Sequence, residues 1–105
     1  MCGICGIFEF DEQREIPRDL LHRMTQTIVH RGPDDEGIFV GRGIGLGFRR
    51  LSIIDVAGGH QPLSNEDGRV WVMLNGEIYN YLELHDDLIK RGHRFSTHSD
   101  TETIV

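Results

Sequence analysis

The stretch MCGICGIF (residues 1–8) starts the chain and predicts its first strand. In CGICGIFEF (residues 2–10), small and β-branched residues come first. Phe8 and Phe10 then share one face under a two-residue period. The glycines permit another strand or a ligand to approach the backbone closely. We therefore expect a buried strand here, with Cys2 at its beginning.

Cys2 has two interpretations. If Met1 is removed, Cys2 carries a free α-amine beside its thiol, and an α-amine with a reference pKa of about 7.7–8.0 suits a general base near neutrality. Threonine nucleophiles that use their own N-terminal amine follow the same logic. The small side chain of Cys2 should allow the removal of Met1. The alternative is a small buried residue that starts a strand, and position alone favours that alternative.

Cys5 is expected to be a core thiol. A bridge between Cys2 and Cys5 would close a very tight loop, and one disulfide is too few for a secreted disulfide scaffold. The two cysteines supply only half of a zinc site, and none of the 6 histidines is paired at finger spacing. We therefore predict no metal ligands, and a small metal-binding domain that uses Cys2 and Cys5 is a minor alternative.

Composition limits the class of protein. The chain has 105 residues, which is enough for one domain or part of one. Its net charge of −6 gives no positive surface that would attract nucleic acid or anionic lipid. The N-terminus lacks the basic region of a signal peptide, and the longest apolar run, VWVML, is too short to span a bilayer. We expect a cytoplasmic protein without nucleic-acid or membrane partners.

The first half of the chain predicts a helix and a hairpin. Residues 16–29 have helical spacing, and residues 30–37 (HRGPDDEG) form a turn. Residues 38–55 are predicted to form two strands joined around positions 41–43. Glycines at alternate positions should leave the side-chain packing of this hairpin sparse. The apolar stripe of the helix is predicted to be Leu20, Leu21, Met24 and Ile28.

The second half predicts a strand over residues 69–79 and a helix that starts at Asn80 and ends at Lys90-Arg91-Gly92. Glu83 would complete a capping box with Asn80. A short strand follows at residues 93–95, and SDTE (residues 99–102) repeats the capping-box signal. Because only three residues follow that signal, we expect the chain to stop within a domain. The whole order indicates an α+β fold with a mostly antiparallel sheet.

Asn75-Gly76 has two interpretations that the sequence leaves open. Asn-Gly between apolar residues is the strongest short hairpin signal. Alternatively, the Asn75 amide and the Gly76 backbone N–H form an oxyanion hole.

Two arginines and an aspartate are further candidates. Neighbouring strand residues point to opposite faces, so at most one of Arg49 and Arg50 faces a given pocket, where it could clamp a carboxylate. The alternative is a pair of solvated arginines at a strand end. Asp100 is either a first-turn acid favoured by the helix dipole or a carboxylate that receives an ammonium group.

Five stretches together resemble the glutaminase domain of the glutamine-hydrolysing asparagine synthetase family, which belongs to the class-II (N-terminal nucleophile) glutamine amidotransferases. HRGPD with RLSIID and QPL is typical of this branch rather than of the sugar-phosphate or purine branches. In family order the stretches are MCGICGIF, HRGPDDEG, RRLSIIDVAGGHQPLSNEDG, LNGEIYNY and SDTE.

The resemblance implies a role for each candidate. Cys2 would attack the glutamine side-chain amide, with its own α-amine handling the proton, and Asn75 and Gly76 would hold the oxyanion. Arg50 would bind the α-carboxylate of glutamine, and Asp100 would bind its α-ammonium group. No metal or organic cofactor is implied for this half-reaction. The remaining substrate-binding residues implied are Leu51, Ser52, Ile53, Ile54 and Glu77.

The resemblance also implies a fold and a context. The expected architecture is a four-layer α-β-β-α sandwich, of which residues 1–105 are the N-terminal portion. The ammonia would serve asparagine synthesis in a synthetase domain absent from this chain, where ATP and Mg would bind. A homodimer or an associated synthetase domain is the expected partner. The alternatives are a class-II amidotransferase with a sugar or cell-surface acceptor, and a catalytically silent fragment or binding module.

Overall fold

A computed structural model describes residues 1–52 and 59–105 of the chain. These residues form an α+β fold with antiparallel strand pairing, as predicted. Neither α-helix of this part of the chain is long and apolar enough to cross a membrane. In chain order the elements are β1 (Gly3–Phe8), α1 (Arg18–Thr27), β2 (Asp35–Gly41), β3 (Ile44–Arg50), β4 (Leu63–Ser64), β5 (Trp71–Val72), α2 (Tyr81–Lys90) and a 3₁₀ helix (Asp100–Ile104).

Strand β3 is the middle strand of a three-stranded sheet with the order β1-β3-β2. Both pairings are antiparallel, so Cys5 of β1 and Ile38 of β2 lie opposite Gly47 of β3. The predicted hairpin is confirmed, and its turn contains Gly43 at φ 73°, a conformation that glycine adopts without steric cost. Strand β2 starts at Asp35 rather than at residue 38, so part of HRGPDDEG is strand.

Helix α1 packs closely on the sheet because β3 presents glycines to it. A Cβ atom on Gly45 would lie 2.8 Å from Cγ2 of Ile16, and one on Gly47 would lie 2.6 Å from Cγ2 of Thr25. Leu21 is 0% exposed at this contact. The glycines therefore allow close packing, and the expectation that they thin it is wrong.

The buried face of α1 differs from the predicted stripe. Leu20 is 39% exposed, whereas Thr25 is fully buried one turn after Leu21. Thr25 tolerates burial because its hydroxyl bonds to the His22 carbonyl and to the Glu36 carboxylate, each at 2.7 Å. Position on the helix face, four residues from Leu21, decides the contact with the glycines of β3.

Strand β1 is covered on one face, not buried on both. Its residues alternate between the two faces of the sheet, and Ile4 and Phe8 are exposed. Phe10 lies beyond the strand and is 91% exposed. The expectation of a buried strand is wrong. Strand β1 lies at the edge of the sheet, and α1 covers the face opposite to the one that carries Ile4 and Phe8.

The face of β2 and β3 opposite α1 contacts the second half of the chain. A Cβ atom on Gly37 would overlap the Gln61 carbonyl, so only glycine permits this approach. Phe39 stacks on Trp71 of β5 with ring centroids 4.1 Å apart. Phe48, on the same face as Gly37, is 1% exposed. These contacts join the main sheet to the small β4-β5 ribbon.

Regular structure is sparser after residue 60 than the patterns predict. The strand expected over residues 69–79 is confined to Trp71–Val72, and residues 93–95 form no strand. Both stretches are instead held by side-chain acceptors, and in the first Oδ1 of Asn65 accepts from the N–H groups of Arg69 and Val70. The Glu66 carboxylate accepts from Nδ1 of His93 at 3.0 Å and from the Arg94 N–H at 3.1 Å.

Helix α2 starts and ends where predicted, with different capping. Asn80 is the N-cap, but its side chain makes no capping hydrogen bond, so the predicted capping box is wrong. At the other end Gly92 adopts φ 96°, and the N–H of His93 donates to the Leu88 carbonyl at 3.0 Å. This bond and the positive φ form a Schellman motif.

The final helical turn is a 3₁₀ helix rather than the start of an α-helix. Ser99 is its N-cap and accepts from the Thr101 N–H, as predicted. Glu102 reaches back further than a capping box requires, and its carboxylate accepts from the N–H groups of Ser96 and Thr97. Glu102 is buried and connects the 3₁₀ helix to the preceding loop.

A charged cluster centred on Glu36 ties α1 to the sheet. One carboxylate oxygen accepts from Thr25 and lies 2.7 Å from Nδ1 of His22, and the other accepts from Gln26 at 3.0 Å and Arg49 at 3.1 Å. Burial works to raise the pKa of Glu36. The hydrogen bonds from Thr25 and His22, with the charges of His22 and Arg49, outweigh it and hold this pKa below its ordinary value of 4.5.

The packing of α1 on β3 predicts a specific non-additivity. Gly47→Ala should lower the free energy of unfolding by about 1–3 kcal/mol, because the new methyl meets Cγ2 of Thr25 and Sγ of Cys5. In a Thr25→Ser background, which lacks that methyl and keeps the hydroxyl, the cost should shrink by at least about 0.5 kcal/mol. Urea unfolding of the four chains measures both values. Equal costs in the two backgrounds would contradict the contact.

The lowered pKa of Glu36 predicts acid sensitivity. A lowered folded pKa gives stability that is present above the ordinary value of 4.5 and is lost as pH falls through the folded value. Glu36→Gln should therefore unfold more easily than wild type at about pH 7, and this difference should shrink towards about pH 3. Urea unfolding across that range tests it, and Glu15→Gln, at an exposed position, corrects for the change in net charge. A difference that does not change with pH would refute the prediction.

Candidate functional site

Cys2 lies where β1 starts, beside the end of β3. The register places Gly3 opposite Arg49, so the chain before β1 and the chain after β3 meet. The N–H of Leu51 donates to Sγ of Cys2 at 3.4 Å, although 49 residues separate them. Arg31 donates from Nε to the Cys2 carbonyl at 3.2 Å. The predicted nucleophile and one predicted pocket residue are therefore neighbours, and Cys2 is half-exposed.

The side chains of the two arginines of β3 lie on opposite faces of the sheet. Arg49 donates from Nε to the Gly32 carbonyl at 2.9 Å and pairs with Glu36. The Arg50 guanidinium fills the space in which a side chain on Gly59 would lie. Both arginines are buried, at 8% and 7% exposure, so the alternative of two solvated arginines is wrong.

The HRGPDDEG stretch holds the backbone on both sides of Leu51. The N–H of Asp34 donates to the Arg50 carbonyl at 3.0 Å, and the Asp34 carboxylate accepts from the Ser52 N–H at 2.8 Å. Asp34 thus fixes the residue before Leu51 and the residue after it. The predicted residues Ile53 and Ile54 lie outside the described residues.

Asn75-Gly76 forms a bend that leads into α2, not a hairpin turn. No strand follows it before the helix begins at Tyr81. The hairpin interpretation is therefore wrong, and the backbone groups of this bend are not paired in a ladder. Asn75 is half-exposed, and Gly76 and Glu77 are exposed.

Two hydrogen bonds fix the ends of this bend. The Asp100 carboxylate accepts from the Ile78 N–H through Oδ2 at 2.8 Å. On the other side, Oε1 of Gln61 accepts from the Leu74 N–H at 2.7 Å. The sequence patterns did not identify Gln61 as a site residue. The one feature that could have indicated it is its place in the QPL triplet. Asp100 is half-buried and lies next to Thr101, to which Gln61 donates at 3.2 Å.

The described contacts thus divide the predicted site residues into two groups. Within residues 1–52 and 59–105, the Cys2 thiol makes no hydrogen bond to the second group. The first group, around the ends of β1 and β3, is Cys2, Arg50, Leu51 and Ser52. The second group, around the bend, is Asn75, Gly76, Glu77 and Asp100.

The two cysteines differ in environment, and both are free thiols. Cys5 lies under α1, where its sulfur would meet a side chain at Gly47. Burial, and after it the negative charge of Glu36, raises the pKa of the Cys5 thiol above its ordinary value of 9.0. Cys5 therefore keeps its proton at neutral pH, as a structural thiol does.

A cavity of about 470 Å³ lies beside the 3₁₀ helix. None of the predicted site residues that the structure describes lines it. In the same described part of the chain, no three His, Cys, Asp or Glu side chains are placed to hold a metal ion. The cavity is lined by Ser64, Asn65, Glu66, Leu88, His93, Arg94, Phe95, Ser96, Glu102, Thr103, Ile104 and Val105.

Comparison with known proteins agrees with the motifs. The family model described as the glutamine amidotransferase domain matches residues 1–105. The chain is 50% identical to glutamine-hydrolysing asparagine synthetase 1 of Bacillus subtilis (strain 168), with all of the chain and 17% of that protein aligned. Identity is 39% to glutamine-hydrolysing asparagine synthetase 1 of Arabidopsis thaliana and 41% to the glutamine-hydrolysing asparagine synthetase of Sandersonia aurantiaca. All of the chain again aligns, with 18% and 20% of those proteins.

The chain therefore spans no more than a fifth of the length of these curated relatives. The resemblance carried by the five motifs is confirmed over the whole chain. This chain belongs to the glutamine amidotransferase domain family, and its sequence is homologous to that of the glutamine-hydrolysing asparagine synthetases.

Proposed function

We propose that the chain hydrolyses the side-chain amide of glutamine to glutamate and ammonia, with Cys2 as the nucleophile. The observation that carries this proposal is the meeting of the Cys2 thiol with the Leu51 N–H, one residue from the buried Arg50. A half-exposed thiol close to the strand end that carries a buried arginine is a suitable place for a substrate with a carboxylate group. Met1 is 73% exposed, which supports its removal to free the amine of Cys2.

In the proposed mechanism the α-amine of Cys2 takes the thiol proton, and the sulfur adds to the amide carbon of glutamine. The oxyanion forms beside the Asn75 amide and the Gly76 N–H, which are donors of the kind that stabilise such charge. The carbon–nitrogen bond breaks, and ammonia leaves with the proton from the amine. Water then adds to the thioester, which releases glutamate and restores the thiol of Cys2.

Substrate binding is assigned to the two ends of the glutamine backbone. Arg50 would hold the α-carboxylate through its guanidinium, which can donate two parallel hydrogen bonds. Asp100 would hold the α-ammonium group. Its carboxylate has about four acceptor positions, and the Ile78 N–H occupies one of them at 2.8 Å from Oδ2. Glu77 and the backbone of residues 51–54 would complete the pocket.

We further propose the four-layer sandwich as the complete fold, with residues 1–105 as its N-terminal portion. The exposed apolar residues Ile4 and Phe8, on the sheet face away from α1, support a second sheet packed there. The ammonia would serve asparagine synthesis in a cytoplasmic enzyme, and ATP and Mg would act in a synthetase domain. Glutamine, that domain and a second subunit are the proposed partners, and the net charge of −6 argues against nucleic acid.

The proposed nucleophile predicts selective covalent labelling. A glutamine-analogue diazoketone should modify Cys2 alone, on a chain that lacks Met1, because the raised pKa of Cys5 keeps that thiol protonated. Peptide mass spectrometry locates the adduct. Cys2→Ser should abolish labelling, and the matched variant Cys5→Ala should retain it. Retention of Met1 would exclude the mechanism, and a Met1-free but unlabelled chain would indicate a silent binding module.

The assigned roles predict different kinetic effects. Asp100→Asn keeps an acceptor for the Ile78 N–H and removes the charge, so KM for glutamine should rise about tenfold to a hundredfold with little change in kcat. Asn75→Ala should instead lower kcat by about 10²–10³. Steady-state measurement of glutamate release separates the two. If Asp100→Asn lowered kcat and left KM unchanged, the binding role of Asp100 would be wrong.

A further inference from the structure

Gln61 spans the two chain segments that carry the second group of predicted residues. It is 7% exposed, and both ends of its side-chain amide are used. Oε1 accepts from the Leu74 N–H at 2.7 Å, and Nε2 donates to Oγ1 of Thr101 at 3.2 Å. Leu74 immediately precedes Asn75, and Thr101 immediately follows Asp100. We propose that Gln61 is a positioning residue that aims the oxyanion donors of the glutaminase site, an inference that rests on the proposed function.

The bend needs such a support because it has no regular structure of its own. Residues 73–80 belong to neither a strand nor a helix, so no ladder orients their N–H groups. The bonds from Leu74 to Gln61 and from Ile78 to Asp100 bracket the three residues between them. Oxyanion stabilisation requires donors held at about 2.7–3.1 Å from the charge, and a displacement of about 1 Å can cost about 10²-fold in rate.

Gln61 is itself held by the main sheet. Its backbone carbonyl lies so close to Gly37 of β2 that a side chain there would overlap it. Gly37 is opposite Phe48 of β3, two residues before Arg50. The Gln61 side chain therefore connects the bend to the same sheet that carries Cys2 and Arg50.

In wild type the tip of the Gln61 side chain both accepts a hydrogen bond, from the Leu74 N–H, and donates one, to the Thr101 hydroxyl. A glutamate would keep the acceptor for the Leu74 N–H, and the Thr101 hydroxyl, which donates to Oδ1 of Asp100 at 3.4 Å, could turn to donate to the glutamate instead. A methionine has nearly the same length but would leave the Leu74 N–H without its partner in a half-buried place. These two substitutions separate hydrogen bonding from the filling of space.

The first test compares hydrolysis with simple alkylation. Gln61→Met should lower kcat for glutamine hydrolysis by about 10²-fold with KM within about threefold, because the donors are misplaced while the substrate contacts remain. Alkylation of Cys2 by iodoacetamide forms no oxyanion and should keep its wild-type rate. Gln61→Glu should recover most of kcat. Thr101→Val, which leaves the Leu74 bond intact, should lose less activity than Gln61→Met.

The second test measures how firmly the bend is held and does not depend on enzyme activity. Amide hydrogen exchange at Leu74 should be at least about tenfold faster in Gln61→Met than in wild type, and unchanged in Thr101→Val. Exchange in β3 serves as the folding control. If Gln61→Met does not fold, Gln61→Asn is used, because its amide is one carbon too short to reach both partners.

The outcomes of the two tests are distinct. Unchanged exchange at Leu74, or a parallel loss of hydrolysis and alkylation, overturns the positioning role. A wild-type chain that neither hydrolyses glutamine nor reacts with the diazoketone overturns the proposed function. In that case slow exchange at Leu74 in wild type and fast exchange in Gln61→Met still decide whether Gln61 holds the bend.

Discussion

The close contact between α1 and the middle strand β3 is the constraint on which the rest of the structure depends. Gly45 and Gly47 have no side chains, so Leu21 and Thr25 reach the strand itself. Strand β3 pairs with β1 on one side and β2 on the other, and this contact therefore decides which face of the sheet the helix covers. A tightly packed interior tolerates little change in volume, and a side chain on either glycine would push the helix away.

The end of β3 connects this core to the candidate site. Arg49 is buried and neutralised by Glu36, whose other hydrogen bonds come from α1. A buried charge of this kind is tolerated because it is paired and fully hydrogen-bonded. Arg50 continues on the opposite face, and the following Leu51 N–H meets the Cys2 thiol. Arg49 therefore serves the packing of α1 on one face of the sheet, and Arg50 occupies the proposed binding position on the other face.

The second half of the chain is organised by side-chain hydrogen bonds more than by strands or helices. Strands β4 and β5 have two residues each, and α2 has no buried residue. Gln61, Glu66, Asp100 and Glu102 hold the loops by accepting from backbone N–H groups. Strand patterns over-predicted structure here because apolar alternation shows that a segment can pair, while pairing itself needs a partner strand.

The sequence alone determined the family and some of the local features. The glycine that ends α2 at Gly92 and the cap at Ser99 were predictable because each depends on a few neighbouring residues. The motifs also identified the family, since their order along the chain needs no structure. Tertiary structure alone decided that Thr25 is buried and that the Cys2 thiol meets Leu51. Both depend on strand register and helix packing, which join residues far apart in sequence and leave no local pattern.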